Sequence, residues 1–404
     1  MSLRKGDQLI MKKIGFIGCG ARSLRYLRNL LQSHPGAWSV PALCDTNEEN
    51  VKRFGRILGN TDFKYYTDSQ KMLDEEELDG VVLAIPNIFH REPAIKAMSK
   101  GIPLLLEKPV AIDLEDCKAL WSAYCENGRP PVVVGFVLRY TPFYSKINEI
   151  LESGRLGKVL TINAEEFLSE DLSFVFRRGW RKDKTYSGPF IAEKCCHDLD
   201  ILNWFSQSSA HRISSFEGRT YFVEEDDMGD KCEECSQSDR CAYAMKYPGE
   251  PCLFKETEHP DHQVAIIEYE NGILANFTVT AMQSASRRTI RINGIDASLY
   301  GDINDDFIII TPRSSADKGV REVCEIIKIK RDSSGHHGGD SVISNAFWQA
   351  VNGNDNVVKA GLEEGIQGAL LAIAVDESVQ MGKIVDAKAL LEEVFHENTV
   401  NPAW

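Results

Sequence analysis

The stretch that most constrains this chain is Lys13-Ile14-Gly15-Phe16-Ile17-Gly18-Cys19-Gly20-Ala21-Arg22-Ser23. A short apolar run ends in Gly-x-Gly, and Leu24, Leu27, Leu30 and Leu31 then recur at helical spacing until Ser33-His34-Pro35-Gly36 stops the pattern. The sequence therefore predicts strand, glycine turn and helix in immediate succession. Gly18 makes the tight turn. Gly20 lets the backbone approach an anion at the helix N-terminus, where unpaired N–H groups and the helix dipole favour negative charge. Gly18, Cys19, Gly20, Ala21 and Arg22 are thus candidates for holding a dinucleotide pyrophosphate. Ser23 fills the third fingerprint position in place of Gly or Ala, which predicts a slightly wider spacing of helix on strand.

Strands and helices alternate behind this turn. Ala42-Leu43-Cys44-Asp45 ends the expected second strand, with Asp45 lying 25 positions after Gly20. A carboxylate there can accept both ribose hydroxyls of an adenosine, which favours NAD, with NADP as the alternative cofactor. A role for Asp45 as N-cap of a helix beginning near Asn47 is compatible with that. Pro41 removes a ladder donor, so the strand should be short. The apolar run that begins at Leu78 and ends in Ile85-Pro86-Asn87 suits a buried parallel strand. A helix through Lys100, a strand leading into Glu107-Lys108-Pro109, a helix over Leu114–Cys125 and a strand at Val132–Gly135 follow. This alternation predicts an α/β fold, a doubly wound parallel sheet with right-handed crossovers. Ligands gather at the carboxyl ends of such strands, where Gly18, Asp45, Pro86-Asn87 and Glu107-Lys108-Pro109 all fall.

After Phe136 the texture changes. Val159–Phe167, Ile213–Phe222, Gln263–Tyr269, Ile273–Thr280, Arg288–Asn293, Ala297–Tyr300, Phe307–Thr311 and Val323–Ile329 carry β-formers in alternation. Glu270-Asn271-Gly272 joins the third and fourth of these as a hairpin. Helical patterns return at Ser341–Val351 and Leu362–Met381. A chain of 404 residues is long for one core. We therefore expect a nucleotide-binding domain over residues 11–135 and a second α/β domain, with a large open antiparallel sheet, over 136–404. The polar, turn-rich stretch 224–260 reads as an insertion between strands.

The formal net charge of −14 argues against a nucleic-acid or anionic-membrane surface. No apolar run reaches the length of a membrane span, and no secretory leader is visible. A soluble cytoplasmic protein is expected. Met1 to Ile10 reads as a dispensable lead-in, with Met11 the expected natural start.

Two stretches carry candidate chemistry. Glu107-Lys108-Pro109 puts a lysine on a sheet terminus, where partial burial can lower its pKa and let it donate to a substrate oxygen. Taken alone, a solvated strand-end lysine is the plainer reading. Downstream, Glu193-Lys194-Cys195-Cys196-His197-Asp198-Leu199-Asp200 has spacing that places Glu193, His197 and Ile201 on one helical stripe, with Cys196 and Asp200 beside it. Histidine titrates near neutrality and can exchange a proton with an alcohol, while Glu193 or Asp200 could hold its tautomer. A structural histidine explains the same pattern.

In combination, the dinucleotide turn, Glu-Lys-Pro and Glu-x-x-x-His-x-x-Asp resemble the glucose–fructose oxidoreductase and inositol dehydrogenase (Gfo/Idh/MocA) family, over nearly the whole chain from Met11. Ile85-Pro86-Asn87-Ile88-Phe89-His90 resembles that family's motif beside the nicotinamide. Arg139-Tyr140-Thr141-Pro142, Gly157-Lys158-Val159, Trp180-Arg181, Ser187-Gly188 and His337-Gly338-Gly339-Asp340 match further recurring positions. The resemblance implies hydride transfer between a nicotinamide cofactor and a sugar, inositol or related polyol. Lys108 would polarise the reacting oxygen, His197 would take the alcohol proton, and Glu193 would complete the catalytic set. Ile85, Pro86, Asn87, His90, Glu107 and Lys108 would join the glycine turn in cofactor binding. Arg139, Trp180, Arg181, Lys194 and Asp200 would contact a carbohydrate-like substrate. Position 193 is usually aspartate in the family, and position 189 is often glycine where this chain has Pro189. Both departures bear on substrate identity.

Two questions stay open on sequence. Cys232-Glu233-Glu234-Cys235, Cys241 and Cys252 could hold tetrahedral zinc, but lack the second Cys-x-x-Cys of a zinc ribbon, and no metal ligand is assigned. The same hydride chemistry would also serve an NAD-dependent glycoside hydrolase, and a nucleotide-sensing regulator could keep the fold without catalysis. An open, partly apolar sheet predicts a homodimer or homotetramer.

Overall fold

The computed structural model describes residues 11–225, 228–241, 243–244, 249, 251–255, 257–313, 324–330, 332 and 334–395. The lead-in Met1–Ile10 and the expected strand start at Val323 lie outside them. The chain forms two compact units. One takes the described residues of Met1–Ser145, Arg331–Gln367 and Val394–Pro402, the other those of Lys146–Lys330 and Gly368–Glu393.

In the first unit the strands are β1 (Lys12–Ile17), β2 (Trp38–Ser39), β3 (Ala42–Cys44), β4 (Lys64–Tyr66), β5 (Gly80–Leu83), β6 (Leu104–Leu106) and β7 (Val132–Val134). They run β4-β3-β1-β5-β6-β7, every pair parallel, with β2 beside β1. β2 and β4 are too short to show a pattern in the sequence. Helices α1 (Ala21–Ser33), α2 (Glu48–Leu58), α3 (Ser69–Glu75), α4 (Arg91–Ser99) and α5 (Leu114–Glu126) make the crossovers. Asn47, Asp68 and Asp113 cap α2, α3 and α5 by accepting first-turn N–H groups. The cap of α2 is therefore Asn47 rather than Asp45.

A helix from the far end of the chain, Gly339–Val351, completes this unit. Asn29 of α1 donates to Ser344 at 3.2 Å, and His34 stacks on Trp348 at 4.7 Å. A Cβ on Gly80 would come within 2.7 Å of Val351 and 3.0 Å of Phe347, so glycine is what lets the helix seat on β5. The described residues of 331–367 group with this unit, because Phe347, Ala350 and Val351 share its apolar core with Phe16, Leu27 and Val82.

In the second unit the strands are β8 (Val159–Ser169), β9 (Ala210–Gly218), β10 (His262–Tyr269), β11 (Leu274–Gln283), β12 (Arg287–Gly294), β13 (Ala297–Asp302), β14 (Phe307–Pro312), β15 (Glu325–Lys328) and β16 (Val385–Asp386). Their order is β15-β14-β13-β12-β8-β11-β10-β9-β16. The expected antiparallel pattern holds except between β8 and β11, which pair in parallel. Period-two alternation carries no strand direction, and the long connection from Ser169 to Leu274 supplies the crossover that parallel pairing needs. Ile162, Leu168, Ile267, Phe277 and Val279 bury one face, on which helix Cys196–Ser206 lies. On the other face Phe216, Val264, Ile266 and Leu274 are exposed in register.

The insertion after β9 is anchored through Arg177. Its guanidinium donates to Thr257 Oγ1 at 3.1 Å and to the carbonyls of His259 and Pro260 at 3.0 and 2.7 Å, and it lies 3.7 Å from the Phe222 ring centroid. His259 is fully buried, with Nε2 at 2.7 Å from the carbonyl of Arg181. Burial, aided by the charges of Arg177 and Lys184, pushes its pKa down from 6.5 to about 4. The unfolded chain therefore takes up a proton at this residue as pH falls from 6.5, while the folded chain resists until about 4. The stability fully present above pH 6.5 should be lost across that window, by roughly 3 kcal/mol. His259→Gln, which keeps an N–H donor, should flatten that acid limb in urea unfolding measured across the window. An unchanged pH slope would remove His259 from the linkage.

Candidate active site

The glycine turn between β1 and α1 has the geometry its sequence requires. Gly18 adopts φ +86°, and a Cβ there would stand 2.2 Å from the carbonyl oxygen of Ala84. Only glycine meets both demands. A Cβ on Gly20 would meet nothing within 4 Å, so the protein's own packing does not call for glycine at that position. The N-terminus of α1 has no side-chain cap and no acidic residue in its first turn. Open space over uncapped N–H groups fits an incoming pyrophosphate. Cys19 and Ser23 are fully buried, Gly20 and Arg22 half-buried, and Ala21 exposed.

Asp45, at the end of β3, accepts the N–H of Cys19 at 2.7 Å with one carboxylate oxygen and that of Asn47 at 2.7 Å with the other. It ties the glycine turn to the second strand. The Asn50 side-chain amide donates to both oxygens at 3.4 and 3.3 Å, so a ribose hydroxyl would take the place of these long contacts.

The Arg22 side chain is bound within the protein. Its Nε donates to Glu107 Oε1 at 2.5 Å, one Nη to Asp340 at 2.5 Å and the other to the Tyr26 hydroxyl at 2.7 Å. Tyr26 in turn donates to Glu107, and His336 Nδ1 lies 2.9 Å from Asp340. Burial opposes ionisation of Glu107, but the charges of Arg22 and Lys108 hold its carboxyl below the ordinary value. Asp340 is likewise held well below the carboxylate range, its burial outweighed by His336 and Arg22. Glu107 Oε2 also accepts the backbone N–H of Lys108 at 3.2 Å. A buried, ionised network thus fixes the chain at the lysine of Glu-Lys-Pro. Tyr26 and His336 escaped the sequence reading, although Tyr26 sits one helical turn after Arg22.

His90 is fully buried, with its ring nitrogens 2.9 Å from the Pro109 carbonyl and 3.0 Å from the Ile85 carbonyl. It braces the loop after β5 against the one after β6. Asn87 is buried, and Ile85 and Pro86 are half-buried on the same loop. Arg139 is buried and donates to the carbonyl of Lys359 at 2.8 Å.

In the second unit the expected continuous stripe through Glu193 and His197 is broken. Phe190–Glu193 and Cys196–Ser206 are separate helices, because the i→i+4 ladder stops at the Cys195 N–H to Ile191 bond and restarts from the Cys195 carbonyl. Glu193 receives the Nε of Arg181 at 2.8 Å, and the Arg181 guanidinium lies 4.3 Å from the Trp180 ring centroid. His197 and Asp200 are buried, as are Cys195 and Cys196. Lys194 pairs with Glu166 at 2.5 Å, and Arg288 bridges Glu166 at 2.5 Å and Asp198 at 2.9 Å. Burial, together with a hydrogen bond from its carboxyl to Glu166, pushes Asp198 up, whereas Arg288 and Lys194 hold Glu166 down against its own burial. The charge of Lys194 is therefore committed within the protein. The signal missed was Glu166 itself, a charged residue in phase with the buried Ile162, Ala164 and Leu168.

Among the described residues no three His, Cys, Asp or Glu side chains form a metal-ligating group. No described helix is long and apolar enough to cross a membrane.

The profile of an oxidoreductase family with an NAD-binding Rossmann fold matches residues 12–136, and that of its C-terminal α/β domain matches residues 148–387. A putative oxidoreductase of Bacillus subtilis, YteT, is 19% identical over 434 aligned positions, covering 96% of this chain and 100% of that protein. Inositol 2-dehydrogenase 2 of Saccharopolyspora erythraea is 31% identical over 191, so the match spans about half of each protein, 47% of this chain and 52% of the relative. Among solved structures, a levoglucosan dehydrogenase in complex with NADH and L-sorbose superposes with a TM-score of 0.74 at 19% identity, over 94% of this chain and 100% of that one. With both profiles matched in order across most of its length, the chain belongs to the Gfo/Idh/MocA oxidoreductase family and carries that family's NAD-binding Rossmann domain.

Proposed function

We propose that the protein is an NAD-dependent dehydrogenase acting on the CH–OH group of a carbohydrate-like alcohol: a sugar, an inositol or a related polyol. The observation that carries this is the clamp on Glu107-Lys108, a lysine at the carboxyl edge of the nucleotide sheet with its backbone N–H held by a buried carboxylate. A relative that is an inositol 2-dehydrogenase, and a structural neighbour that is a levoglucosan dehydrogenase with L-sorbose, support the substrate class.

The glycine turn fits the cofactor, which when bound supplies the hydride acceptor. Gly18, Gly20 and the N–H groups opening α1 would hold its pyrophosphate, and Asp45 its adenosine ribose. Lys108 would donate to the reacting oxygen, drawing charge from it as the alcohol is oxidised. His197 would accept the hydroxyl proton. Glu193, already holding Arg181, would shape the substrate side with Trp180 and Arg181. Arg22 and Glu107 would act through Lys108, keeping its backbone in place. The exposed row Phe216, Val264, Ile266 and Leu274 would be covered by self-association.

The test is reduced-cofactor formation from NAD with a panel of free sugars, inositols and glycosides. Turnover of a free polyol or sugar, cut at least about a hundredfold in Lys108→Ala and in His197→Ala with NAD affinity retained, is expected. Sugar release from a glycoside without net reduction would replace the dehydrogenase by a hydrolase. Cofactor binding without either reaction would leave a regulator. Asp45→Ala should weaken both cofactors by loosening the turn, but NAD roughly tenfold more than NADP. Equal losses would confine Asp45 to holding Cys19 and Asn47. Ile266→Glu should lower the solution mass to that of the monomer, and an unchanged oligomer would clear that face.

A further inference from the structure

In Gly335-His336-His337-Gly338-Gly339 two imidazoles stand where glycine would fit the backbone more easily. The chain is left-handed at His336 (φ +48°, ψ +51°), at His337 (φ +53°, ψ +39°) and at Gly338 (φ +90°). A Cβ is strained in that region, and consecutive side-chain-bearing residues there are rare. Strain of this kind gathers at ligand sites, where the side chain serves a purpose that the backbone alone does not.

The turn is pressed against the carboxyl edge of the nucleotide sheet. A Cβ on Gly335 would stand 2.2 Å from Asp340 Oδ2 and 2.7 Å from Arg25 Nη1, and one on Gly339 2.5 Å from the Val137 carbonyl oxygen. Arg25 belongs to α1, which follows β1, and Val137 follows β7. His336 Nδ1 lies 3.0 and 2.9 Å from the Asp340 oxygens and 3.5 Å from Arg22 Nη1. Asp340 has its countercharge in Arg22 at 2.5 Å, with Arg25 at 3.7 Å, so the histidine is not needed to neutralise it. The relation runs the other way, and the buried carboxylate orients the ring. Accepting at Nδ1, it holds the N–H there, which makes Nε2 of the neutral imidazole an acceptor suited to a hydroxyl. Nearly half of the side chain, 45%, is exposed.

The position selects the hydroxyl. Asp45 follows β3 on one side of β1, and Glu107 follows β6 on the other. In sheets of this topology a dinucleotide crosses the crevice where the strand order reverses, here between β1 and β5. With the adenosine half toward Asp45, the nicotinamide half lies toward β6, where Arg22 joins His336 to Glu107. That half carries a second ribose between the pyrophosphate and the base.

We propose that His336 binds this second ribose, Nε2 accepting one of its hydroxyls, with Asp340 as the positioning residue behind the ring. The proposal rests on the cofactor placement given above and on no step of the reaction.

The test is calorimetric titration of the full-length protein and of His336→Gly with NAD, ADP-ribose and ADP. Glycine suits the left-handed backbone, so the variant should unfold at a temperature no lower than the wild type. NAD and ADP-ribose, which both carry the second ribose, should weaken about tenfold, and ADP, which lacks it, should change by less than about twofold. Should glycine lower the unfolding temperature, His336→Asn, which tolerates the same backbone and keeps an N–H for Asp340, takes its place in the three titrations. Unchanged NAD affinity, or equal weakening of all three ligands, would overturn the proposal. So would a loss for NAD that ADP-ribose does not share, since the contact would then lie on the base. Failure of ADP to bind the wild type would remove the adenosine placement and this proposal with it, a result separate from whether the protein oxidises a polyol.

Discussion

A carboxylate buried at the end of a parallel sheet has to be paired, and the pairing of Glu107 organises much of the first unit. Isolated, an ionised group there would cost several kcal/mol. Arg22, Tyr26 and the backbone of Lys108 all donate to it, and Arg22 brings in Asp340 as a second carboxylate. The Arg22 side chain is committed to this network, and the N-terminus of α1 keeps no side-chain cap. Removing Arg22 would strip both buried carboxylates of their shared cation.

The second unit repeats the theme on a different scaffold. Glu166 projects from the buried face of β8 and is satisfied by Lys194 and Arg288, the latter also holding Asp198. These charges flank the helix that carries His197. Like the Glu107 network, they form a satisfied polar cluster inside an apolar layer, which fixes side-chain orientation at the expense of tolerance to change.

The first unit was legible because its signals are local. Gly-x-Gly, the Asp45 spacing and Glu-Lys-Pro each depend on a few neighbouring residues and a known element order. The strands of the second unit were legible for the same reason, since alternation survives in a single sequence. What escaped depends on residues far apart in the chain. The parallel pairing of β8 with β11 leaves no trace in either strand's pattern. Asp340 was visible as a motif, but its partner Arg22 lies 318 positions away. The stripe through Glu193 and His197 failed for a subtler reason: helical spacing does not reveal where the hydrogen-bond ladder is interrupted, and here it breaks at Cys195.

The seating of Gly339–Val351 on β5 has a consequence for how the chain is made. The nucleotide sheet emerges first during synthesis, but the helix that covers Gly80 and the carboxylate that completes the Arg22 pairing arrive only after eight strands of the nine-stranded sheet have been translated. Until then Arg22 lacks its second carboxylate, and the apolar surface around Phe16 and Val82 lacks Phe347 and Val351. Contacts of such long sequence separation slow folding and prolong the exposure of unfinished surface. The element that binds the cofactor is therefore among the earliest segments synthesised, yet it is among the last to be completed.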